Sequence, residues 1–177
     1  ADMDSVHIGE GCSGGTPAEG DIIGCWRDKG SKGLSYDNDG NSSQRPKFSR
    51  NLLNGKPGAV FDGTDDVLIT NLGVSLDAGD DTYSIFAVWR PYVLKTQVIW
   101  EQNLTSVSTG RRGALVAVSA GGYGFSSQNN DQYDLAPYTI NETILTGMIV
   151  NNGSIRVSHN GYVYSGSVNA GTANLAA

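Results

Sequence analysis

The chain has 177 residues, of which 24 are Gly and only 17% are charged, against usual shares near 7% and about 25%. Twelve Lys and Arg against 18 Asp and Glu leave a net charge of −6, which excludes a nucleic-acid partner, because phosphate backbones are held by clustered cations. No run of 18 apolar residues occurs, so no membrane insertion is expected. Sparse Lys, Glu, Leu and Met argue against a helical bundle, and no collagen-type glycine repeat is present. The composition points to an all-β protein. Its length suits one domain spanning 1–177, able to bury about two-thirds of its unfolded surface.

In chain order, residues 1–20 read as an irregular N-terminal segment rich in Gly, Asp and Ser. It starts at Ala1, as a processed protein or an excised piece would. Cys12 and Cys25 flank a Gly/Pro/Ser-rich stretch, and are either a disulfide or two free thiols. Gly9-Glu10-Gly11-Cys12-Ser13-Gly14 matches a phosphate-binding glycine pattern by spacing, but no strand precedes it and no helix follows. Asp37-Asn38-Asp39-Gly40-Asn41 begins like a calcium loop, yet Gly is fourth and Phe48 occupies the twelfth position, which excludes an EF-hand.

From Pro57 onward the pattern turns to strands. Gly58 to Phe61 and Val67 to Thr70 are short β-type runs joined by the turn-forming Asp62-Gly63-Thr64-Asp65-Asp66. Tyr83 to Arg90 is apolar on nearly both faces, as a central strand between two layers would be. Gln97 to Glu101, Ala114 to Val118 and Ile144 to Val150 are further strands. Ser154 to His159 alternates with period two, and Asn160-Gly161 then predicts a tight hairpin into Tyr162-Val163-Tyr164. Trp26, Trp89 and Trp100 lie in or beside these runs and are expected in the core. The stretch 166–177 reads as a flexible or partner-bound tail. Four Asn-x-Ser/Thr sequons (Asn41, Asn103, Asn141, Asn152) compare with roughly two expected by chance from the Asn and hydroxyl content.

Three stretches together carry a family resemblance. Trp26-Arg27-Asp28-Lys29-Gly30-Ser31-Lys32-Gly33 is similar to an opening Trp-x-Asp element with its Ser/Gly turn. Arg45-Pro46, then Asn54 to Asp66, is similar to the most recognisable segment of the same family. Tyr83 to Pro91 and the Val157 to Gly161 hairpin follow in the expected order. Over roughly residues 20–165 the chain resembles the concanavalin A-like lectin/glucanase superfamily, in its laminin-G-like branch. The resemblance implies a two-sheet antiparallel jelly-roll sandwich. Members include lectin-like modules, adhesin parts, domains of polysaccharide-degrading enzymes and phage virion proteins, so an extracellular, cell-surface or virion-surface location is implied. Family members usually continue past the hairpin with further strands. The Gly/Ala-rich residues 170–177 lack that pattern, so either an open sheet edge or a longer polypeptide is expected.

Glycoside hydrolysis needs two facing carboxylates, and the glucanase branch places them as closely spaced Glu and Asp on one strand. The only glutamates are Glu10, Glu19, Glu101 and Glu142, and none has such a neighbour. Glu101 at a strand end is the one candidate acid, and the bland reading makes it water-facing. Neither histidine is near a convincing nucleophile in sequence, and His159 is in period with Ile155 and Val157, as a partly buried strand histidine would be. The chain is therefore expected not to be an enzyme.

Asp65, Asp66, Asp80 and Asp81 are candidate Ca2+ ligands at a loop rim. The competing reading makes them turn residues bonding their own backbone. The Gly- and amide-rich stretch 121–134 reads as a loop suited to sugars, with Tyr123 and Tyr133 for stacking and Asn129, Asn130, Asp131 and Gln132 for hydroxyls. The alternative is a polar surface loop or subunit contact. Two functions follow as expectations: a non-catalytic carbohydrate-binding or adhesion module with a glycan partner, or a structural decoration or appendage protein of a phage virion or other surface assembly, built for protein contacts and self-assembly.

Overall fold

The computed structural model describes residues 3–31, 33–37, 41–69, 83–102, 113–126, 132–151 and 154–167. These form antiparallel β-sheets with three short 3-10 turns and no α-helix among them, so the all-β expectation holds. No helix among them is long and apolar enough to cross a membrane. The chain groups into two compact units, 1–74 and 75–177; no Pro/Gly-rich linker announces that division in the sequence.

The first unit opens with a three-stranded sheet of β1 (Val6–His7), β2 (Cys25–Arg27) and β3 (Ser35–Asp37). The N-terminal segment is thus more ordered than its composition suggests, because Val6 is buried and β1 pairs with β2. A disulfide joins Cys12 to Cys25, with Cα atoms 4.9 Å apart. Strands β4 (Lys47–Leu53) and β5 (Lys56–Val60) form a hairpin that turns on Asn54-Gly55, both at positive φ (50° and 74°), where glycine is favoured. Val6, Ile23 and Phe48 form the core, with Met3, Trp26, Ala59 and Leu68 against it. The expected strand Val67 to Thr70 reduces to one bridge, Ile69 to Asp37. The buried Arg45 guanidinium is neutralised by Glu10, as a charge removed from water requires.

The second unit holds two four-stranded sheets. One contains β7 (Gln97–Gln102), β8 (Gly113–Ala117), β9 (Gly122–Ser126) and β10 (Gln132–Pro137), in the order β10-β9-β8-β7. The other contains β6 (Tyr83–Trp89), β11 (Ile144–Asn151), β12 (Ser154–His159) and β13 (Tyr162–Ser167), in the order β13-β12-β11-β6. The chain leaves β6, runs a meander through β7 to β10, and returns at β11 beside β6 over seven paired residues. Inward positions of both sheets build one core: Leu115, Ala117, Tyr123, Ala136, Ile144, Met148, Val150, Ile155 and Val157, with Tyr138 beyond β10. Trp89 and Trp100 pack against it and Trp26 against the first core, as expected.

Two strand expectations change. Among the described residues β6 is not central: it ends its sheet, and its second apolar face, Phe86 and Val88, is exposed. The stretch 121–134 is not one loop, because β9 and the first half of β10 are carved out of it. The Asn160-Gly161 hairpin forms as predicted, with φ of 46° and 93°. Residues 166 and 167 end β13, and the remainder of the expected tail lies outside the described residues.

The disulfide closes a separation of 13 residues, so Cys12→Ser with Cys25→Ser should destabilise the first unit by about 3 kcal/mol. Denaturant unfolding monitored by first-unit proteolysis checks this. In the second core, Met148→Ala should cost about 2–5 kcal/mol, because Met148 is fully buried.

Candidate functional site

Alternation in the β13-β12-β11-β6 sheet sends every second side chain away from the core. On β6 the outward residues are Ser84, Phe86 and Val88; on β11 they are Leu145, Gly147, Ile149 and Asn151. On β12 they are Ser154, Arg156 and Ser158, and on β13 Val163 and Ser165 stand opposite Ser158 and Arg156. The register sets Val88 beside Leu145 and Phe86 beside Gly147. An apolar stripe on β6 and β11 therefore borders a hydroxyl-rich stripe on β12 and β13. Phe86 is 74% exposed and Val163 65%, well beyond what folding alone calls for.

Gly147 is built into this face. A Cβ there would stand 3.0 Å from Phe86 Cε1 and 2.7 Å from Ser158 Oγ. Only glycine lets the phenyl ring lie against the β11 backbone, a packing known to shield sheet glycines. Ser158 Oγ in turn accepts from the Gly147 N–H at 3.0 Å and lies 3.3 Å from its carbonyl oxygen. The ring is thereby seated on the sheet rather than free to swing.

Of the sequence-predicted sugar-contacting residues, Tyr123 is fully buried. Its ring faces the core from β9, so it is not available for stacking on a sugar. Gln132 and Tyr133 lie in β10, with their side chains outside the described residues. Asn129, Asn130 and Asp131 are also outside them. Of that set only Tyr123 can be placed, and it lies in the core; the surface that the sequence reading missed is the outward face of β6 and β11. Its signal was the doubly apolar run Tyr83 to Trp89, which was read as burial on both sides.

Tyr123 instead anchors a polar chain through the core. The Trp89 indole N–H donates to Thr146 Oγ1 at 2.9 Å, and Thr146 bonds the Tyr123 hydroxyl. Tyr123 Oη lies 3.0 Å from His159 Nδ1, and His159 Nε2 is 3.5 Å from Glu142 Oε1. A carboxylate accepts only, so the Nε2 facing it carries a proton. His159 is buried, as its periodicity suggested. Glu142 also takes Thr139 Oγ1–H at 2.9 Å and Asn160 Nδ2–H at 3.0 Å. Glu101 is half-buried in β7 rather than water-facing.

For calcium, the structure gathers Asp65 and Asp66 with Asp62, their ligand atoms within 4.8 Å of one another. Asp80 and Asp81 lie outside the described residues. Partial burial raises the Asp66 carboxyl above its ordinary range, the Asp62 N–H offsets this in part, and the charges of Asp62 and Asp65 raise it further. Asp66 Oδ2 accepts the Asp62 N–H at 2.7 Å, and Asp62 Oδ1 accepts the Thr64 N–H at 2.7 Å. The same oxygens that would coordinate an ion are closing the turn, which is the bonding expected of turn aspartates.

No family model matches the chain, and no curated protein or solved structure matches it either.

Burial pushes the Tyr123 phenol up to about 12, and burial also raises Tyr83 and Tyr138. The raised folded-state value means the neutral phenol stabilises the fold fully below the unfolded value near 10. That contribution should fall between pH 10 and 12 by about 1.4 kcal/mol per pH unit for Tyr123. Alkaline unfolding followed by phenolate absorbance checks this, and Tyr123→Phe should flatten the profile while costing about 1–3 kcal/mol at neutral pH.

Proposed function

We propose that the chain is a non-catalytic contact module of an extracellular or virion-surface assembly, self-associating through the outward face of the β6 and β11 strands. The observation that carries this is one sheet face with Phe86, Val88, Leu145, Ile149 and Val163 all exposed. Monomeric soluble proteins seldom leave such a patch facing water. The described outward positions of the four strands carry one charge, Arg156, and no carboxylate. Two copies could therefore bring their apolar stripes together without burying an unpaired acid. Ten side chains from two copies give a gross gain on the order of 10 kcal/mol. That is comparable to the cost of association, so a weak, concentration-dependent dimer is expected rather than an obligate one. The disulfide suits a non-cytoplasmic, oxidising setting. The lectin-like jelly-roll assignment stays part of this proposal, supported by two four-stranded antiparallel sheets sharing one core.

A glycan partner is the second reading, and the seated Phe86 ring beside Ser158 favours it, since a fixed aromatic face suits a sugar's C–H surface. The aliphatic neighbours weigh against it: sugar hydroxyls over Val88, Leu145 and Ile149 would lose water without gaining partners.

Sedimentation velocity over a concentration series tests the assembly reading. The wild-type chain should dimerise, and Val88→Lys with Leu145→Lys should be monomeric at every concentration while keeping its fold, because both positions are exposed. A wild-type chain that stays monomeric throughout overturns the assembly reading. Binding on a glycan array that Phe86→Ala abolishes would establish the second reading instead.

A further inference from the structure

The β4–β5 and β12–β13 hairpins turn on the same dipeptide, Asn-Gly, with closely similar backbone angles. What differs is the hold on the asparagine side chain. Asn160 Oδ1 accepts the Leu145 N–H at 2.9 Å, and its Nδ2 donates to Glu142 Oε1 at 3.0 Å. Its backbone N–H also donates to the Leu145 carbonyl at 3.1 Å. Asn54 is exposed, and its carboxamide has no hydrogen-bond partner among the described residues. Near Asn54 the β4–β5 pairing is irregular, with a register shift between Ser49 and Leu53. A Cβ on Gly55 or on Gly161 would meet nothing within 4 Å, so crowding at the glycine does not distinguish the two turns.

We propose that Asn54 is a site of spontaneous covalent modification to aspartate and isoaspartate, and that Asn160 is protected from the same reaction by its clamp to Glu142 and Leu145. The Gly55 backbone nitrogen attacks Asn54 Cγ and forms the N–C bond of a cyclic imide. The side-chain nitrogen leaves as ammonia, carrying its own two hydrogens and the one lost by Gly55. Water then opens the ring. Cleavage at Cγ gives aspartate and restores the Gly55 N–H; cleavage at the Asn54 backbone carbonyl gives isoaspartate, linked through the side chain. Solvent water is the only co-reactant.

The turn geometry holds the Gly nitrogen away from Cγ, so reaction at either site proceeds through local opening. At Asn54 few restraints oppose that rotation. At Asn160 both carboxamide bonds must break first, and two bonds of ordinary net strength correspond to about a thirtyfold suppression. Either product adds a negative charge to a chain already at −6, and isoaspartate also lengthens the β4–β5 turn by one backbone carbon.

The test is peptide mapping by mass spectrometry of the full chain after incubation at mildly alkaline pH, native and in urea. In urea both asparagines should convert at similar rates. In the native protein the peptide holding Asn54 should gain about one mass unit and an isoaspartate signal, with conversion at Asn160 about thirtyfold slower. Glu142→Ala removes one clamp bond and should raise the Asn160 rate about fivefold, leaving Asn54 unchanged. Equal native rates at the two sites, or no conversion at Asn54, would overturn the proposal. The native-to-urea comparison decides the matter even where Glu142→Ala does not fold.

Discussion

Trp89 is the point on which the second unit is organised. It leaves β6 in one sheet and meets Tyr123 from β9 in the other, with ring centroids 5.4 Å apart and planes at 86°. It also meets Tyr138 at 5.5 Å. Edge-to-face pairs of this kind are worth about 0.5–1.5 kcal/mol beyond their area, but their larger effect here is positional. A buried indole N–H needs an acceptor, and the Thr146 hydroxyl supplies it. Thr146 is fully buried itself, so it too must be satisfied, and the requirement passes to Tyr123, then to His159, and ends on the partly exposed Glu142. Four strands and the β10–β11 turn are thereby held in one relative position, because sliding any of them would strand a polar group in the core.

That inward order accounts for the outward face. With the register of β6 on β11 fixed by Trp89 and Thr146, period-two alternation leaves Phe86, Val88, Leu145 and Ile149 no choice but to point away. Gly147 then admits the Phe86 ring against the backbone, which recovers some of the burial the ring lacks. The remaining exposure is a cost to the isolated unit that a partner surface would remove.

The sequence carried the second unit's strands well where their signal was local. Ile144 to Val150, Ser154 to His159 and the Asn160-Gly161 turn each combine alternation with turn chemistry, and each is found where expected. The first unit's Asn54-Gly55 turn has the same chemistry, but its flanks, Leu52-Leu53 and Lys56-Pro57-Gly58, do not alternate. The stretch 121–134 failed for a related reason: Gly122, Gly124 and the amides mask the period of β9, and the one inward aromatic, Tyr123, looks identical to a surface tyrosine until its partners are known. Whether Cys12 met Cys25 was beyond spacing alone, since the approach depends on the β1–β2 pairing and the turn at Glu10 to Cys12. Edge or centre for β6 was likewise illegible, because an exposed apolar residue is written the same way as one facing the core.

The first unit meets a different constraint. Among the described residues its buried hydrophobic cluster contains Val6, Ile23 and Phe48, with Met3, Trp26, Ala59 and Leu68 against it, and small units commonly add a cross-link to such a core. The cross-link from Cys12 to Cys25 supplies what packing does not, by restricting the unfolded chain rather than by adding contacts. Arg45 and Glu10 close the same region with an ion pair whose arginine is buried and whose glutamate faces water; losing Glu10 would weaken the compensation of a buried charge. A unit held this way depends on its redox surroundings as much as on its sequence, whereas the second unit, with its larger apolar core and satisfied polar chain, does not. The cross-link is compatible with a non-cytoplasmic setting.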